Sequence, residues 1–534
     1  MKVLTAAEMG EVDRLTTERY LIPGILLMEN AAARTVEAAE KRFGPFSGKR
    51  ALIICGKGNN GGDGASIARQ LFARGARVDL LLLGRIEDSK GDARINFEIA
   101  RSLSATAAHK FQIVEIDNSE LFEEHATSRP HDIIFDAIFG TGLTRPAGGI
   151  FERAFEFIND CGRVCPVVAV DIPSGIASDS QELIGPAVRA QLTVTFTAPK
   201  IGNLLPPASD HSGELVVGHI GSPEELILSS GSRLNLVEKE YVKRWLDGSR
   251  RSPHANKGDA GKVLVIAGSR GKTGAASLVG EGALRAGAGL VTLATPESSQ
   301  TVVASCSLAE CMTEPLAETA GGAVAREALD RVIELASERD VIAIGPGLGS
   351  SEESTRTLVH ATAINRQRPM VIDADGLNSL APWADNLQGS SDLPLILTPH
   401  PGEMSRLLGK PIAFILQNRV KVAREFATLH TAIVVLKGSR TLIAAPDGEV
   451  YINPTGNAGM ATGGTGDVLT GIIAGLLAQK SDDPIAATIA GVYLHGLAGD
   501  IAASCTGIRA MTASDISAHL GEAFSEVGGR EEMF

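Results

Sequence analysis

Short runs of apolar, often β-branched residues alternate with longer amphipathic stretches along the whole chain. In the first half these runs lie at 51–55, 78–83, 132–135, 167–170 and 192–197. In the second half they lie at 262–266, 290–293, 341–344, 370–372, 395–397 and 433–436. They lack the polar–apolar alternation of half-exposed strands, so we expect strands that are buried on both faces. The pattern predicts an α/β protein whose parallel sheets carry helices on both sides.

The regular pattern is interrupted between residues 222 and 240. Ser222-Pro223 and the Ser-Ser-Gly-Ser stretch at 229–232 favour a linker, and a charged segment follows at 238–240. The chain has 534 residues, whereas a single hydrophobic core rarely extends beyond about 250–300 residues. We therefore predict two domains, at residues 1–225 and 236–534.

The composition narrows the class of partner. The chain has 50 basic and 63 acidic residues and a net charge of −13, which disfavours binding to nucleic acid or to anionic membranes. The N-terminus lacks the apolar segment of a secretory signal. No apolar run approaches the roughly 18 residues that cross a membrane, and 472–478 is the densest. The six cysteines form no CxxC pair and indicate reduced thiols. We expect a cytoplasmic homo-oligomer that acts on small molecules.

A glycine-rich segment, Gly-Lys-Gly-Asn-Asn-Gly-Gly-Asp-Gly at 56–64, joins the strand predicted at 51–55 to a helix predicted at 65–73. Such glycines allow a sharp turn and let backbone N–H groups face a phosphate at the helix N-terminus. Gly56, Gly58 and Gly61 match the dinucleotide-binding pattern GxGxxG. However, the acidic residue expected at the end of the second strand is missing, because Asp79 lies near the start of that strand. An ordinary NAD dehydrogenase is therefore disfavoured, and a purely structural glycine turn remains open.

Two further strand ends carry carboxylates. Asp136 follows the strand at 132–135 and leads into Gly-Thr-Gly at 140–142, and Asp171 follows the strand at 167–170 and leads into Pro-Ser-Gly at 173–175. Ligands of open parallel sheets lie beyond the carboxyl ends of the strands. Oxygen groups there suit a hard cation, and a carboxylate can also transfer protons. Each aspartate alone could equally cap a helix, but three converging loops favour a site.

These three segments, together with Ala198-Pro199-Lys200, resemble the NAD(P)H-hydrate epimerase family over about residues 1–220. The resemblance implies a Rossmann-like three-layer αβα domain and a hydrated nicotinamide cofactor lying over 59–63 and 140–146. It also implies a potassium ion near Asn60, Asp136 and Ser174. Asp171 is a hypothetical proton shuttle for the substrate C6 hydroxyl. The implied substrate-binding residues are Asn59, Asn60, Gly61, Gly62, Asp63, Gly140, Thr141, Gly142, Leu143, Thr144, Arg145 and Pro146.

In the second half, a glycine-rich segment at 453–467 leads into a helix at 468–479 that is apolar on all sides. Its glycines expose N–H groups at the helix N-terminus, where negative charge is stabilised. Asp467 lies in that first turn and could act only on the helix dipole. A carboxylate beside an anion site is, however, what phosphoryl transfer to a hydroxyl requires. The segment 268–273 contains Gly-Lys-Thr, but Ile266 stands where a P-loop requires glycine, so a P-loop is disfavoured.

The loop ending at Asp467 resembles the ribokinase-like superfamily, whose domains are αβα. The segments 254–258, 345–349, 373–378, 398–403 and 437–441 are similar to the ADP/ATP-dependent NAD(P)H-hydrate dehydratase family over about residues 236–520, although Asp259-Ala260 is atypical. The resemblance implies substrate contacts at Ala275, Gly347, His400 and Asp467. It implies nucleotide contacts at Lys437, Gly438, Ser439, Arg440, Thr441 and Gly466. A lone His400 would more often be a capping or core residue, but its Pro-His-Pro-Gly-Glu setting favours a site.

The two resemblances together imply the repair of both epimers of hydrated NADH and NADPH. The first domain would interconvert the R and S epimers. In the second, Asp467 would deprotonate the C6 hydroxyl, ADP (or less favourably ATP) would phosphorylate it with Mg²⁺ at the phosphates, and loss of phosphate would restore the dihydronicotinamide. Two alternatives stay open: a vitamin-precursor kinase for the second domain, and a non-catalytic binding module for the first.

Overall fold

In the computed structural model the chain folds into two units, Met1–Ser232 and Arg233–Phe534. The structure describes residues 1–127, 129–249, 254–384, 386–480 and 482–528. The predicted end of the second domain, 529–534, lies outside the described residues. The boundary between the units along the chain falls between Ser232 and Arg233, within the segment where the hydrophobic pattern is interrupted.

The first unit is built on a seven-stranded parallel sheet in the order β3-β2-β1-β4-β5-β6-β7. Its strands are β1 (Arg50–Cys55), β2 (Arg77–Leu83), β3 (Phe111–Ile116), β4 (Ile133–Ala137), β5 (Val167–Val170), β6 (Leu192–Phe196) and β7 (Glu214–Gly218). Its helices are α1 (Ala6–Tyr20), α2 (Gly24–Phe43), α3 (Asn59–Ala73), α4 (Gly91–Thr106), α5 (Ser119–Ala126), α6 (Ile150–Cys161), α7 (Ile201–Leu204) and α8 (Glu224–Leu228).

Strand β1 shows why this sheet is covered on both faces. Ile53 packs in one apolar cluster with residues of α2, α3 and α4, whereas its neighbour Ile54 packs in another with residues of α5 and α6. Both side chains are fully buried, because successive residues of a strand point to opposite faces. The chain leaves β1 for β2 on one side and later returns to β4 on the other. This reversal opens a crevice at the carboxyl ends of β1 and β4, the usual place for a ligand in such sheets.

The second unit contains a ten-stranded sheet in the order β11-β10-β9-β12-β13-β14-β15-β16-β17-β8. Its strands are β8 (Leu234–Leu236), β9 (Lys262–Ile266), β10 (Leu290–Pro296), β11 (Met312–Leu316), β12 (Val341–Ile344), β13 (Met370–Ile372), β14 (Leu395–Leu397), β15 (Ile433–Leu436), β16 (Leu442–Ala444) and β17 (Val450–Ile452). Its helices are α9 (Lys239–Gly248), α10 (Thr273–Arg285), α11 (Glu297–Cys306), α12 (Leu329–Ser337), α13 (Glu353–Ile364), α14 (Asp375–Ser379), α15 (Pro401–Leu408), α16 (Ile412–Gln417), α17 (Arg419–His430), α18 (Thr465–Gln479), α19 (Pro484–Thr506), α20 (Ala513–Ala518) and α21 (Leu520–Gly528).

The expectation of purely parallel sheets is wrong at one edge of the second sheet. Strands β15, β16 and β17 pair antiparallel, and β8 then joins β17 in parallel. Antiparallel neighbours can be joined by short hairpins, and here the connections are only 437–441 and 445–449. Strands β16 and β17, of three residues each, were not among the predicted apolar runs. The two-domain α/β prediction itself is confirmed, and the layered second unit agrees with a ribokinase-like fold.

Two predicted boundaries need correction. Helix α3 begins at Asn59, so the asparagines and glycines predicted as a loop form its first turns. The glycines in these turns allow α3 to approach the neighbouring backbone closely. A Cβ added to Gly61 would lie 1.7 Å from the carbonyl oxygen of Gly56. Helix α18 likewise begins at Thr465 and includes Asp467.

One helix overturns the statement that no apolar segment approaches membrane-spanning length. Among the described residues, α19 is long and apolar enough, with a mean hydropathy of 1.4 over its most apolar window. That window is 78% buried within the protein. Helix α19 packs against α18, α9 and α21, which accounts for its burial. Its length is not evident from the sequence because small and polar residues such as Thr488, His495 and Asp500 interrupt the apolar run.

Two candidate active sites

The first unit contains a cavity of about 600 Å³ at the carboxyl ends of β1 and β4. Side chains from α1, α2, α3 and the loops after β4 and β5 form its wall. The predicted substrate-binding residues that line it are Asn59, Asn60, Asp63, Gly140, Thr141, Gly142 and Leu143, together with the predicted catalytic Asp171. The structure thus brings together three loops that are far apart in sequence.

Five predicted substrate-binding residues do not belong to this wall. Gly61 lies against the backbone of Gly56, and a Cβ added to Gly62 would lie 2.7 Å from the Cα of Ala93. Their glycine character therefore serves the packing of α3. The other three are the exposed residues that follow the lining segment: Thr144, Arg145 and Pro146.

The three residues predicted to hold potassium provide a buried oxygen-rich cluster. Asp136 accepts hydrogen bonds from the backbone N–H of Ser174 at 2.7 Å and from its hydroxyl at 2.6 Å. Burial raises the pKa of Asp136 to about 6, although these hydrogen bonds act in the opposite direction. The amide oxygen and nitrogen of Asn60 are both buried without a hydrogen-bond partner. Such a group normally has a partner, so an ion ligated by the amide oxygen fits this position.

Asp171 is fixed by a buried lysine. It lies after β5 with a φ of +67°, a backbone conformation that aspartate adopts more readily than most residues. Its Oδ1 accepts hydrogen bonds from Lys200 Nζ at 2.6 Å and from the hydroxyl of Thr195 at 3.0 Å. The Lys200 side chain is 1% exposed. In the sequence, Lys200 was noted only as part of the motif Ala198-Pro199-Lys200, which follows the buried strand β6 within a few residues.

Two further carboxyl groups lie on the same wall. Burial raises the pKa of Asp13, in α1, to about 6, and the charge of Lys200 partly offsets this effect. Burial raises the pKa of Asp63 well above its ordinary value, and the charges of Asp171 and Asp13 add to the effect. Sequence reasoning missed Asp13. Its position four residues after Met9, on the buried side of α1, was the only available sign.

In the second unit, a buried cluster of charges surrounds Lys437, which follows β15. Its Nζ lies 2.6 Å from Oδ1 of Asp373 and 3.8 Å from Oε2 of Glu403. Thr470, in α18, donates a hydrogen bond of 2.8 Å to the other oxygen of Asp373. Burial lowers the pKa of Lys437, but the charges of Asp373 and Glu403 prevail and raise it. The lysine is therefore a permanent positive charge.

Asp467 lies beside this cluster, in the first turn of α18. Burial and the charge of Asp373 raise its pKa to about 7, while Lys437 acts in the opposite direction. A Cβ added to Gly466 would lie 3.3 Å from Lys437 Nζ, so the helix start passes close to the lysine. The N-cap residue is Gly464, so no N-cap side chain accepts a hydrogen bond from the N–H groups of the first turn. A carboxyl group with a pKa near 7 is suited to act as a general base.

A second cavity, of about 430 Å³, opens between this helix start and the loop after β15. The predicted nucleotide-binding residues Lys437, Gly438, Ser439, Arg440, Thr441 and Gly466 all line it. Lining residues that the sequence analysis did not assign to the nucleotide include Asn453, Thr455 and Asn457, from the glycine-rich segment, and His495.

The loop that forms one wall of this cavity is held by a buried arginine. Arg419, in α17, donates hydrogen bonds to the carbonyl oxygens of Ser439 at 2.8 Å and Arg440 at 2.9 Å. Arg440 has a φ of +56°, so the chain turns sharply where Arg419 binds it. Burial lowers the pKa of Arg419 to about 10. Nothing in the local sequence marks this contact, which spans about twenty residues.

The remaining predicted substrate contacts of the second unit lie in the first turn of α10 (Ala275), in the loop after β12 (Gly347) and at the N-cap of α15 (His400). A Cβ added to Gly347, which has a φ of +67°, would lie 2.9 Å from the Cβ of Ala275, so these two residues are in contact. His400 caps α15: its Nδ1 accepts hydrogen bonds from the N–H groups of Gly402 and Glu403. Its side chain is 50% exposed, and its Nε2 lies 3.3 Å from Oε1 of Glu403.

The Gly-Lys-Thr segment does not form a P-loop. Gly268 and Gly271 both have positive φ and α10 begins at Thr273. The amine of Lys272 lies 3.1 Å from Oδ2 of Asp375, which also accepts a hydrogen bond from the N–H of Gly349. Lys272 thus links the start of α10 to the start of α14 through its ion pair with Asp375.

The fold and the two cavities define a two-domain α/β enzyme with a separate site in each unit. Family models support the same division: residues 25–202 match the YjeF-related protein N-terminus, and residues 263–521 match NAD(P)H-hydrate dehydratase. The bifunctional NAD(P)H-hydrate repair enzyme Nnr of Moorella thermoacetica is 46% identical over 97% of this chain and 95% of its own length. Its Escherichia coli counterpart is 35% identical, over 87% and 83%. The chain belongs to the family of bifunctional NAD(P)H-hydrate repair enzymes.

Solved structures similar to the chain include the ADP/ATP-dependent NAD(P)H-hydrate dehydratase from Bacillus subtilis, co-crystallised with ATP/Mg²⁺. It is 32% identical, covers 55% of this chain and 98% of its own, and has a TM-score of 0.48. A ribokinase-like superfamily protein from Enterococcus faecalis is 27% identical over 55% and 96%, with a TM-score of 0.47. The prediction of an enzyme with an epimerase and a dehydratase domain is confirmed by the family. The roles of individual residues stay predictions.

Proposed function

We propose that residues 1–225 interconvert the R and S epimers of NAD(P)H hydrate and that residues 236–534 dehydrate the S epimer with ADP as the phosphate donor. The observation that carries the second activity is Asp467, whose pKa is raised to about 7 beside the positive charge of Lys437. A base that is half ionised near neutral pH can both accept a proton and be present in its active form. Family membership supplies the substrate class.

In the second unit, Asp467 takes the proton of the C6 hydroxyl while the hydroxyl oxygen attacks the terminal phosphorus of ADP. The bond between that phosphorus and the bridging oxygen breaks, and AMP leaves with the bonding electrons. Lys437 and the N–H groups at the start of α18 stabilise the charge that develops on the phosphoryl oxygens. The C6–O bond then breaks, inorganic phosphate leaves with the bonding electrons, and loss of the C5 proton restores the ring double bond.

The substrate of this unit is proposed to contact Ala275, in the first turn of α10, Gly347, in the loop after β12, and His400, at the N-cap of α15. The nucleotide is proposed to occupy the second cavity, along residues 437–441 and Gly466. When bound, Mg²⁺ would neutralise charge on the phosphates. The described residues contain no group of three or more His, Cys, Asp or Glu side chains suited to a metal. Phosphate oxygens and water would therefore supply the ligands of the Mg²⁺ ion.

In the first unit, hydrated nicotinamide is proposed to occupy the cavity that contains Asp171. Lone-pair donation from the ring nitrogen weakens the C6–O bond, and Asp171 moves the proton that the departing hydroxyl needs. Potassium, when bound by Asn60, Asp136 and Ser174, would supply a fixed positive charge next to the loop that follows β5 and begins with Asp171. The buried amide of Asn60, which lacks a hydrogen-bond partner, supports its participation.

ADP is proposed over ATP because the resemblance to single-chain fusions of the two domains favours it. The small cavity does not discriminate, since both nucleotides share the adenosine and the first two phosphates. The proposed setting is the cytoplasm, with nicotinamide nucleotides and ADP as the small-molecule partners of a homo-oligomer.

The test is to incubate the whole chain with hydrated NADH and either nucleotide and to follow the near-UV absorbance of NADH. Absorbance is expected to return with ADP, and Asp467→Asn should lower that rate by about 100-fold or more. Asp330→Asn, which removes an exposed carboxylate from the first turn of α12, is the matched control. Release of a phosphorylated substrate without NADH would instead establish a kinase, and faster turnover with ATP would reverse the choice of donor.

A further inference from the structure

Two of the four aspartates that line the first cavity, Asp13 and Asp171, differ in their surroundings. Asp171 is ion-paired with Lys200 and accepts a further hydrogen bond from Thr195. Asp13 belongs to α1, a helix that lines the cavity with Met9, Asp13 and Thr17, each one turn apart. The second aspartate therefore reaches the same space from a different structural element.

The carboxyl group of Asp13 is poorly compensated. Its Oδ1 is buried and has no hydrogen-bond partner. Negative charge on this oxygen has neither water nor a hydrogen-bond donor beside it, which favours the protonated form of the carboxyl group. Burial accordingly raises the pKa of Asp13 to about 6, and the charge of Asp171 contributes in the same direction. A cavity with one ion-paired carboxylate and one carboxyl that readily keeps its proton is a common arrangement for paired acid and base catalysis.

Inversion at C6 requires chemistry on both faces of the nicotinamide ring. The C6–O bond breaks on one face, and the departing oxygen needs a proton in order to leave as water. The ring nitrogen supplies the electron pair, which gives a flat N1=C6 iminium. Water must then attack from the opposite face and give up a proton there. A single carboxylate fixed on one side can serve only one of these two proton transfers.

We infer that Asp13 is the second acid–base residue of the first cavity and serves the ring face opposite to Asp171. This inference rests on the proposed epimerase function. In one direction Asp13 protonates the departing hydroxyl and Asp171 accepts the proton of the attacking water. In the other direction the roles exchange, so every turnover leaves the pair of carboxyls ready for the reverse reaction. Water is consumed and released in equal amounts.

The inference predicts that inversion and oxygen exchange separate when Asp13 is changed. The experiment uses the whole chain without nucleotide, so that the dehydratase is silent, in water enriched in heavy oxygen. Each purified epimer of hydrated NADH is followed for inversion and for incorporation of the label at C6. In Asp13→Asn, inversion should fall by about 100-fold or more. One epimer should still exchange its oxygen with retention, faster than in buffer, because Asp171 continues to serve its own face.

Three control variants make the result specific. Glu18→Gln removes an exposed carboxylate from the same helix and should leave both rates unchanged. Asp13→Glu keeps a carboxyl group and should invert faster than Asp13→Asn. Asp63→Asn tests the other buried carboxyl of the wall; if it separates exchange from inversion and Asp13→Asn does not, the inference is overturned.

The outcomes distinguish this inference from the proposed function. Absence of inversion above the buffer rate in the wild-type chain would remove the epimerase proposal itself. Wild-type inversion by Asp13→Asn, or loss of both inversion and exchange in a variant that unfolds at the wild-type temperature, would overturn the role of Asp13 alone. Should Asp13→Asn unfold early, Asp13→Ser takes its place in the same comparison, because the retained exchange reports an intact site.

Discussion

Asp467 is a carboxyl group whose burial and proximity to Asp373 raise its pKa to about 7. Since the proposed base works only when it is ionised, the dehydration rate at saturating substrate should fall about tenfold for each pH unit below this value. Above it the rate should level off. The measurement is a pH–rate profile of NADH recovery from about pH 5 to pH 8. A profile that stays flat across this range would contradict the assignment of the base.

The same residue should weaken the fold at alkaline pH. The folded-state pKa of about 7 lies above the ordinary value of 3.8. Between these values the folded state binds more protons than the unfolded state, so stability falls as the pH rises. Asp467→Asn should therefore stabilise the second unit by about 2 kcal/mol at pH 8, after allowance for solvent screening, with a smaller gain at pH 5. Urea unfolding at both values checks this, with Asp330→Asn as the control. A loss of stability at pH 8 would indicate that the carboxylate supports the helix start.

At the scale of elements, α3 depends on contact between glycine and backbone. A Cβ on Gly61 would lie 1.7 Å from the carbonyl oxygen of Gly56, whereas a Cβ on Gly58 would meet nothing within 4 Å. Gly61→Ala should thus displace the start of α3 and destabilise the first unit by about 3 kcal/mol. Gly58 is the N-cap residue of α3. Because its added Cβ would meet no neighbour, Gly58→Ala should cost less than about 1 kcal/mol. Chemical denaturation of both variants decides, and equal losses would show that packing is not the reason for Gly61.

The loop after β15 depends on Arg419 in a similar way. Removal of this guanidinium in Arg419→Met leaves the carbonyl oxygens of Ser439 and Arg440 without their donors. We expect the KM for the nucleotide to rise by about tenfold, the effect of one or two lost hydrogen bonds to a charged group, with a smaller change in kcat. Arg424→Met is the matched control, because Arg424 lies in the same helix but binds the carbonyl oxygen of Gly448. Similar effects of both changes would contradict a specific role for Arg419.

The accuracy of the sequence prediction varied with the burial of each element. Strand β9, which lies inside the sheet and is buried, has the predicted bounds, 262–266. Strand β7, with its partly exposed residues at a sheet edge, was missed, because apolar runs reveal only strands covered on both faces. The start of α3 was missed for another reason: glycines are usually found in loops, and only the close approach to Gly56 explains a helix there.

The candidate sites divide in the same manner. Residues in recognisable loops, such as Lys437 and Asp171, were found because motif and strand end coincide in the sequence. Asp13 and Arg419 were missed because each acts across a tertiary contact to a loop or a cavity that is distant along the chain. Local patterns carry no information about such contacts.

At the scale of the whole molecule, the two proposed activities would form a sequence in which one unit produces the epimer that the other consumes. Starting from the R epimer with ADP, the wild-type chain should recover NADH completely. Asp171→Asn should be limited to the slow spontaneous rate, and Asp467→Asn should form the S epimer without NADH.

Mixing the two variants then tests whether the intermediate travels through solution. If the S epimer is released by one chain and captured by another, the mixture should recover NADH, and the recovery should quicken when more Asp171→Asn protein is added. Each variant at doubled concentration serves as the control. A mixture that stays as slow as Asp171→Asn alone would instead mean that the intermediate reaches only the dehydratase of the chain that formed it. The presence of both sites on one chain would then contribute to the rate of repair, beyond keeping the two activities in equal amounts.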